Sequence, residues 1–183
     1  MKHSAQLDYY IDMSPLMEST VGPLRDYNRL QRYAKALLPD QIAAMERGWT
    51  AKNKSIDNAE RFIEQLPSKL LALERPYVIL LELPATHGVA NPILPTHRDY
   101  NKTCGINVYI EANGELTKFY HWDREAQESV YEEEFCSATG EVWIMNTDVP
   151  HSVQLVPNKE RRMLSFCFTK LKYAEVLECF TTK

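Results

Sequence analysis

The sequence has 183 residues, of which 44% are hydrophobic and 25% charged, and its formal net charge is -4. A chain of this length and composition is expected to fold as one globular domain, 1–183, with a substantial core. The acidic balance and the lack of a basic tract argue against nucleic acid as the main partner.

The first 73 residues are expected to be mostly helical. In 22–39 the apolar residues recur at spacings that are typical of one face of an amphipathic helix. Asp40 is a candidate cap for a second helix, and Ser55 for a third across IDNAERFIEQL. Residues 48–54, between the second and third helices, are expected to form a loop.

From residue 75 the pattern changes to short β-strands. The predicted strands are RPYVILLEL, CGINVYIEA, ELTKFYHW, EEFCSA, GEVWIMN, HSVQLV and RRMLSFCF, with turn signals between them. Asn113-Gly114 lies between two alternating runs and predicts a β-hairpin over IEANGELTKFY. KLKYAEVLECF predicts a closing helix within 171–183.

Helices followed by a series of short strands indicate an α+β fold. Strands of this number and spacing suit a sandwich or a jelly roll. We therefore expect a helical layer, 1–73, to buttress a sheet that is built from 75–170.

Four scattered cysteines, Cys104, Cys136, Cys167 and Cys179, include no Cys-x-x-Cys pair. Their spacing argues against a thiolate zinc site and against a dense disulfide framework. The segment MKHSAQLDYYIDMS has no signal-peptide core, and no apolar run approaches membrane-spanning length. We expect a cytoplasmic protein with reduced thiols and no membrane partner.

A His-x-Asp pair, His97 and Asp99, stands in LPTHRDYNKTCGINVYI just before a predicted strand. Residues i and i+2 of an extended chain project to the same side, so Arg98 would face away. His151 opens a later strand. Two imidazoles and one carboxylate on one face of an ion leave open positions, which suits non-haem Fe(II) oxygen chemistry. We predict His97, Asp99 and His151 as metal ligands.

Two arginines, Arg161 and Arg162, follow His151 at the start of the last predicted strand. A 2-oxo acid that chelates the open metal positions can provide the electrons that activate O₂, and its distal carboxylate then needs a cationic partner. Only one of the two side chains can point inward from a strand. We favour Arg161, because Ser165 would then share its face and add a hydroxyl. Arg162 remains the alternative.

The order of these residues resembles that of the 2-oxoglutarate/Fe(II)-dependent dioxygenases, whose core is a double-stranded β-helix (jelly roll). The resemblance covers 75–170, and GEVWIMNTDVPHSV and RRMLSFCF look most similar to the compact aspartyl/asparaginyl and prolyl hydroxylase-type members. It implies that the three predicted ligands bind Fe(II) and that one of the two arginines binds the C5 carboxylate of 2-oxoglutarate. It also implies that O₂ is consumed and that a C–H bond of a protein side chain, an amino acid or a small metabolite is hydroxylated.

Further co-substrate contacts in this family cannot be matched here by a motif. Asn107 and Tyr109 share a face of the strand after His-x-Asp and are candidates, as are Tyr77 and Thr117. RRMLSFCF has no arginine after Arg162, unlike the nucleic-acid demethylase branch, which again disfavours DNA or RNA as substrate.

Other titratable residues are weaker candidates. His121-x-Asp123 repeats the metal pattern, but no distal His and Arg remain at a suitable spacing once His151 is assigned. His87 is read as part of a loop, and so is 132–134, a run of three glutamates. Loops around 85–96 and 121–133 are expected to gate the site.

Two other functions stay open. One is a jelly-roll binding or sensor protein without oxygenase activity, and the other is a cupin-like metalloenzyme that does not use 2-oxoglutarate. A cupin would be expected to have His-x-His and a Glu ligand where this chain has Asp99. The sequence contains neither a nucleophile-elbow motif nor a phosphate-binding glycine loop. It does not determine whether the substrate is a small molecule or a peptide, nor the oligomeric state.

Overall fold

The computed structural model describes residues 2–20, 25–26, 52–85, 90–99 and 102–181. None of the helices within these ranges is both long and apolar enough to cross a membrane. The first predicted helix is contradicted at Arg25–Asp26, which form a short strand. The rest of that helix and the helix after Asp40 lie outside the described residues.

The strands are β1 (Ser4–Leu7), β2 (Arg25–Asp26), β3 (Lys52–Lys54), β4 (Tyr77–Leu83), β5 (Ile93–His97), β6 (Cys104–Glu111), β7 (Asn113–Asp123), β8 (Glu128–Ala138), β9 (Val142–Asn146), β10 (His151–Gln154) and β11 (Arg161–Phe168). The helices are α1 (Ser14–Met17), α2 (Ala59–Ile63), α3 (Ser68–Leu73) and α4 (Tyr173–Thr181).

The strands form two antiparallel sheets. A seven-stranded sheet has the order β1-β9-β6-β11-β4-β3-β2, and a four-stranded sheet has the order β5-β10-β7-β8. From β4 to β11 the chain passes back and forth between the two sheets, except at the β7–β8 hairpin. This winding is that of a jelly roll, so the predicted fold class is confirmed.

Strand β11 is buried on both of its faces. Leu164 and Phe166 pack in the main core, which lies between the seven-stranded sheet and the helices. The helices contribute Phe62, Leu70 and Val176, among others, to the same core. The expectation that N-terminal helices buttress the sheet is therefore confirmed for α2 and α3. A strand that is covered on both faces needs no polar alternation, which explains the nearly continuous apolar run in RRMLSFCF.

The expectation that residues 1–73 are mostly helical is wrong in part, because this segment also contains the strands β1, β2 and β3. β1 pairs with β9 at one edge of the larger sheet, and β3 pairs with β4 near the other edge. Strands of four and three residues are too short to show a period, and their pairing depends on backbone groups that a distant strand leaves open. The third predicted helix spans only Ala59–Ile63, with Asn58 rather than Ser55 at its start.

The hairpin predicted around Asn113-Gly114 is wrong. β6 lies between β9 and β11, so it has no free edge, and β7 joins the other sheet. Gly114 (φ 89°) supplies the left-handed backbone at this crossing. The actual hairpin joins β7 to β8. Consequently 121–133, predicted as a gating loop, lies largely on these two strands, and the three glutamates at 132–134 lie on β8.

Contacts between β1 and β8 close one side of the jelly roll. His3 Nε2 lies 2.6 Å from Glu132 Oε2, and the Ser4 hydroxyl donates to Glu133. Behind these contacts Trp143 of β9 stacks on Phe135 of β8, with ring centroids 4.0 Å apart. The two sheets are therefore joined by side chains at this edge as well as by the connecting chain.

A carboxylate holds the chain as it leaves β11. Glu74 accepts hydrogen bonds from the backbone N–H groups of Thr169, Lys170 and Leu171, and from the Thr169 hydroxyl. Partial burial acts to raise the pKa of Glu74, but these hydrogen bonds outweigh it and lower the pKa below its usual value. The turn into α4 is thus held by a charged group.

Candidate metal centre

The two predicted histidine ligands lie side by side on neighbouring strands. His97 ends β5, His151 begins β10, and the antiparallel pairing places them directly opposite each other. Their ring centroids are 4.4 Å apart. Asp99 follows β5 by two residues, and its backbone N–H donates to Thr147 O at 3.2 Å. The register of β5 with β10 therefore brings together residues that are far apart in the sequence.

Backbone carbonyls orient both imidazole rings. His97 Nδ1 lies 2.7 Å from Pro95 O, and His151 Nδ1 lies 2.9 Å from Val149 O. A carbonyl oxygen only accepts hydrogen bonds, so each Nδ1 carries the hydrogen. Each neutral ring then keeps the lone pair of Nε2 for an ion, as is usual for histidine ligands with such outer contacts.

The distances between the donor atoms fit one ion. His97 Nε2 lies 3.8 Å from Asp99 Oδ1, and His151 Nε2 lies 3.8 Å from Asp99 Oδ2. Two donors at about 2.1 Å from one ion lie roughly 3.0 Å apart on adjacent sides of it and roughly 4.2 Å apart on opposite sides, so both separations fall between these limits. Among the described residues these three are the one such cluster of His, Cys, Asp and Glu donors. They are compatible with a divalent metal ion, and two imidazoles with one carboxylate form the facial donor set of non-haem Fe(II).

A lysine that the sequence analysis missed contacts the candidate carboxylate ligand. Lys102 Nζ lies 3.1 Å from Asp99 Oδ2, and the two side chains are only 11% and 9% exposed. Burial acts to lower the pKa of Lys102, but the charge of Asp99 outweighs it and raises the pKa above its usual value. Lys102 lies in the connection between β5 and β6, where no periodicity predicts which way a side chain points. Its spacing of three residues from Asp99 is the only indication of this contact in the sequence.

A cavity of about 260 Å³ lies between the two sheets and contains the cluster. The described side chains that line it are Asn53, Tyr77, Ile79, Leu81, Leu94, His97, Asp99, Lys102, Asn107, Met145, Thr147, His151, Val153, Arg161 and Met163. Tyr77 is 37% exposed, whereas Arg161 is 3% exposed. The cavity thus has an outer end near Tyr77 and an inner end at Arg161.

The two arginines of β11 point in opposite directions. Arg161 faces the cavity, donates to Tyr109 Oη at 3.2 Å and stacks on that ring, but its Nε has no hydrogen-bond partner among the described residues. Arg162 lies on the other face with its Nε 3.4 Å from Glu82 Oε1. The geometry therefore agrees with the preference for Arg161 as the inward residue.

Three other predicted co-substrate residues, Ser165, Asn107 and Tyr109, are buried on the same face of the seven-stranded sheet as Arg161. The Ser165 hydroxyl donates to Asn107 Oδ1 at 2.7 Å, and Asn107 lines the cavity. Tyr109 is fully buried, which raises the pKa of its hydroxyl. Thr117 faces inward from the four-stranded sheet opposite Val153, and its hydroxyl has no partner among the described residues.

The second His-x-Asp pair does not join the cluster. His121 Nδ1 lies 3.3 Å from Glu132 Oε1, and its side chain is half exposed. Asp123 accepts hydrogen bonds from the backbone N–H groups of Glu125 and Ala126 at the β7–β8 turn, and these bonds lower its pKa. His87 lies outside the described residues.

No family model matches the sequence, and no curated protein is similar to it. Among solved structures, a prolyl-4-hydroxylase from Pseudomonas putida matches with a TM-score of 0.50 and 15% identity, over 93% of this chain and 94% of that one.

Two further structures match less well. An oxidoreductase of the 2OG-Fe(II) oxygenase family from Burkholderia pseudomallei has a TM-score of 0.37 and 14% identity, over 52% of this chain and 43% of that one. Vicilin from Corylus avellana (hazelnut) has a TM-score of 0.40 and 13% identity, over 66% of this chain and 29% of that one. The chain thus spans less than half the length of these two proteins. At such low identity, what the prolyl-4-hydroxylase and this protein share is the jelly-roll fold.

Proposed function

We propose that the protein is an Fe(II)- and 2-oxoglutarate-dependent oxygenase that hydroxylates a C–H bond. The observation that carries this proposal is the convergence of His97, Asp99 and His151 in a cavity whose inner end holds the buried Arg161. The two histidines lie on the four-stranded sheet and Arg161 on the seven-stranded sheet, so a molecule bound between the sheets would contact both the metal ion and the guanidinium.

The residues of the cluster have distinct roles in this proposal. His97 and His151 would each donate Nε2 to Fe(II), with their rings held by the carbonyls of Pro95 and Val149. Asp99 would add a carboxylate oxygen and partly neutralise the ion. Fe(II) and 2-oxoglutarate, once bound, would supply the electrons that activate O₂ for hydroxylation, with succinate and CO₂ as co-products.

Arg161 would bind the C5 carboxylate of 2-oxoglutarate. A buried guanidinium needs an anion, and none of the described Asp or Glu side chains forms a salt bridge with it. Its unpartnered Nε supports the same role, because a carboxylate can accept from two guanidinium nitrogens at once. Ser165 is already bonded to Asn107, so it would help indirectly, by fixing the amide that lines the cavity.

The proposed substrate is a small molecule or a peptide rather than a nucleic acid, in keeping with the net charge of -4. The apolar side chains of Ile79, Leu81 and Met163 line the same cavity and would keep water from the reacting centre.

The experiment that tests this proposal is anaerobic titration of metal-free protein with Fe(II) and then with 2-oxoglutarate. We expect a weak visible charge-transfer band that requires both additions and disappears in His97→Ala. His121→Ala is the matched control, because His121 belongs to the repeated motif but lies outside the cluster, and it should keep the band.

Folded wild-type protein that binds Fe(II) but never develops the band would overturn 2-oxoglutarate use and favour the cupin-like alternative. Folded protein that binds no metal would leave the jelly-roll binding protein as the better description.

A further inference from the structure

The charges of the described residues that line the cavity do not balance. The described lining contains one carboxylate, Asp99, and two cations, Lys102 and Arg161. A divalent ion would add two positive charges, and 2-oxoglutarate would remove two. One positive charge therefore remains even when both are bound, and an uncompensated charge in a buried site is costly.

Lys102 is the side chain whose positive charge is left without full compensation. In the proposed function the C5 carboxylate neutralises Arg161. Asp99 would have to neutralise both the metal ion and Lys102, whose Nζ lies 3.1 Å from Asp99 Oδ2. Metal binding would draw the charge of Asp99 toward the ion, and it would leave the ammonium with a weaker partner.

Lys102 lies toward the end of the cavity that is distant from Arg161. A Cβ built on Gly105 would be 3.7 Å from Lys102 Nζ, so the ammonium extends over a residue without a side chain. Gly105 pairs with Cys167, which pairs in turn with Tyr77. Cys167 and Arg161 are six residues apart on β11, which is roughly 20 Å of strand.

A phenol lines the cavity at the same end as Lys102. Tyr77 lines the same cavity and is partly exposed, and burial of its remaining surface raises the pKa of its hydroxyl, so the group stays a neutral donor. An ammonium and a hydroxyl at the same end of a cavity form a pair of donors that suits a carboxylate.

We propose that Lys102 and Tyr77 form a second anion subsite at the outer end of the cavity, and that the substrate is a small carboxylic acid held there beside the metal. This inference rests on the proposed function and adds the substrate class to it. The cavity of about 260 Å³ favours a small free acid, because it is below the roughly 300–1,000 Å³ that is typical of sites for drug-sized ligands.

The test uses trifluoroacetate as a probe, with trifluoroacetamide as its neutral counterpart. Each is added to protein that carries Mn(II) and saturating 2-oxoglutarate, and the relaxation of the fluorine signal by Mn(II) is measured. We expect trifluoroacetate to bind at least 10-fold more tightly than the amide. Equal relaxation of the two probes would overturn the inference. So would loss of trifluoroacetate binding as 2-oxoglutarate is raised from zero to saturation, since the probe would then occupy the co-substrate site.

Variants assign the binding to the proposed residues. Lys102→Met should weaken trifluoroacetate binding at least 10-fold, Lys102→Arg should restore most of it, and Tyr77→Phe should weaken it severalfold. Lys118→Met is the matched control, because Lys118 is a surface residue next to Glu134, and it should change nothing. Undiminished binding in Lys102→Met would overturn the inference. If Lys102→Met does not fold, Lys102→Gln and the ratio of acid to amide binding in the wild type decide instead.

Metal binding is measured separately, by the electron paramagnetic resonance of free Mn(II). If the wild type binds no Mn(II), the proposed function fails and this inference fails with it. If Mn(II) and 2-oxoglutarate bind but the acid is not preferred over the amide, the inference alone fails.

Discussion

The two faces of β11 are made from the same eight residues, but their surroundings are opposite. On one face Leu164 and Phe166 pack under the helices in the main core. On the other face Arg161 and Met163 line the cavity, and Ser165 bonds to a cavity residue. The comparison shows that one strand can carry stability and ligand binding on alternate residues. Substitutions one position apart should therefore have different consequences.

The largest effect is expected on the helix-facing side. Phe166→Ala would remove a fully buried ring and should reduce the free energy of unfolding by about 3–5 kcal/mol. Chemical denaturation measures this loss. The variant that remains folded at low temperature should still bind Mn(II) normally, and a loss of metal binding in folded Phe166→Ala would show that the two faces are coupled.

The next effect is expected on the cavity side. Arg161→Gln should weaken 2-oxoglutarate binding by about 10- to 100-fold, in line with about 1.5–3 kcal/mol for hydrogen bonds to a charged group. Isothermal titration with Mn(II)-loaded protein measures it. Arg162→Gln, on the other face and paired with Glu82, is the matched control and should change affinity less than twofold. Equal losses in both variants would contradict the division between the faces.

Strand β11 also shows which features of the fold can be predicted from the sequence and which cannot. Side chains alternate between the two faces of any strand. The inward direction of Arg161, and its position on the same face as Ser165, could therefore be predicted without knowing the partner strands. Pairing is not local. No local pattern indicates that β6 is enclosed by β9 and β11, and the hairpin predicted at Asn113-Gly114 is therefore wrong.

The candidate site shows the same limit. His97, Asp99 and His151 could be recognised as a pattern, and the structure brings them together. Lys102 could not, because its position depends on how the chain turns between β5 and β6 and on the space that Gly105 leaves.

Ser165 tests whether the cavity side of β11 also contributes to the stability of the fold. Ser165→Ala would leave the buried Asn107 carbonyl oxygen without its hydroxyl donor and should cost about 1–2 kcal/mol of stability. Thermal unfolding measures the cost, and Cys136→Ala, at an exposed thiol, serves as the control. A change below the error of the measurement would mean that the cavity side carries binding alone.

The smallest effect is expected where β11 ends. The folded-state pKa of Glu74 is lowered, so its contribution is present above the unfolded value of about 4.5 and is lost as the pH falls through the folded value. Glu74→Gln should therefore cost about 1 kcal/mol near pH 7 and almost nothing near pH 2, where the wild-type carboxyl is protonated too. Denaturation of both proteins across this pH range measures the difference, and a cost that does not change with pH would contradict a charged anchor.

The stack of Trp143 on Phe135 gives the protein a built-in optical reporter. Because the indole belongs to the seven-stranded sheet and the phenyl ring to the four-stranded sheet, we expect the fluorescence of Trp143 to change with the spacing between the two sheets. Trp122 is half exposed near the turn of the β7–β8 hairpin, and Trp49 is the third tryptophan of the chain. A variant with both Trp49→Phe and Trp122→Phe would leave Trp143 as its one tryptophan. Emission spectra of that variant could then follow any movement of the two sheets as ligands enter the cavity.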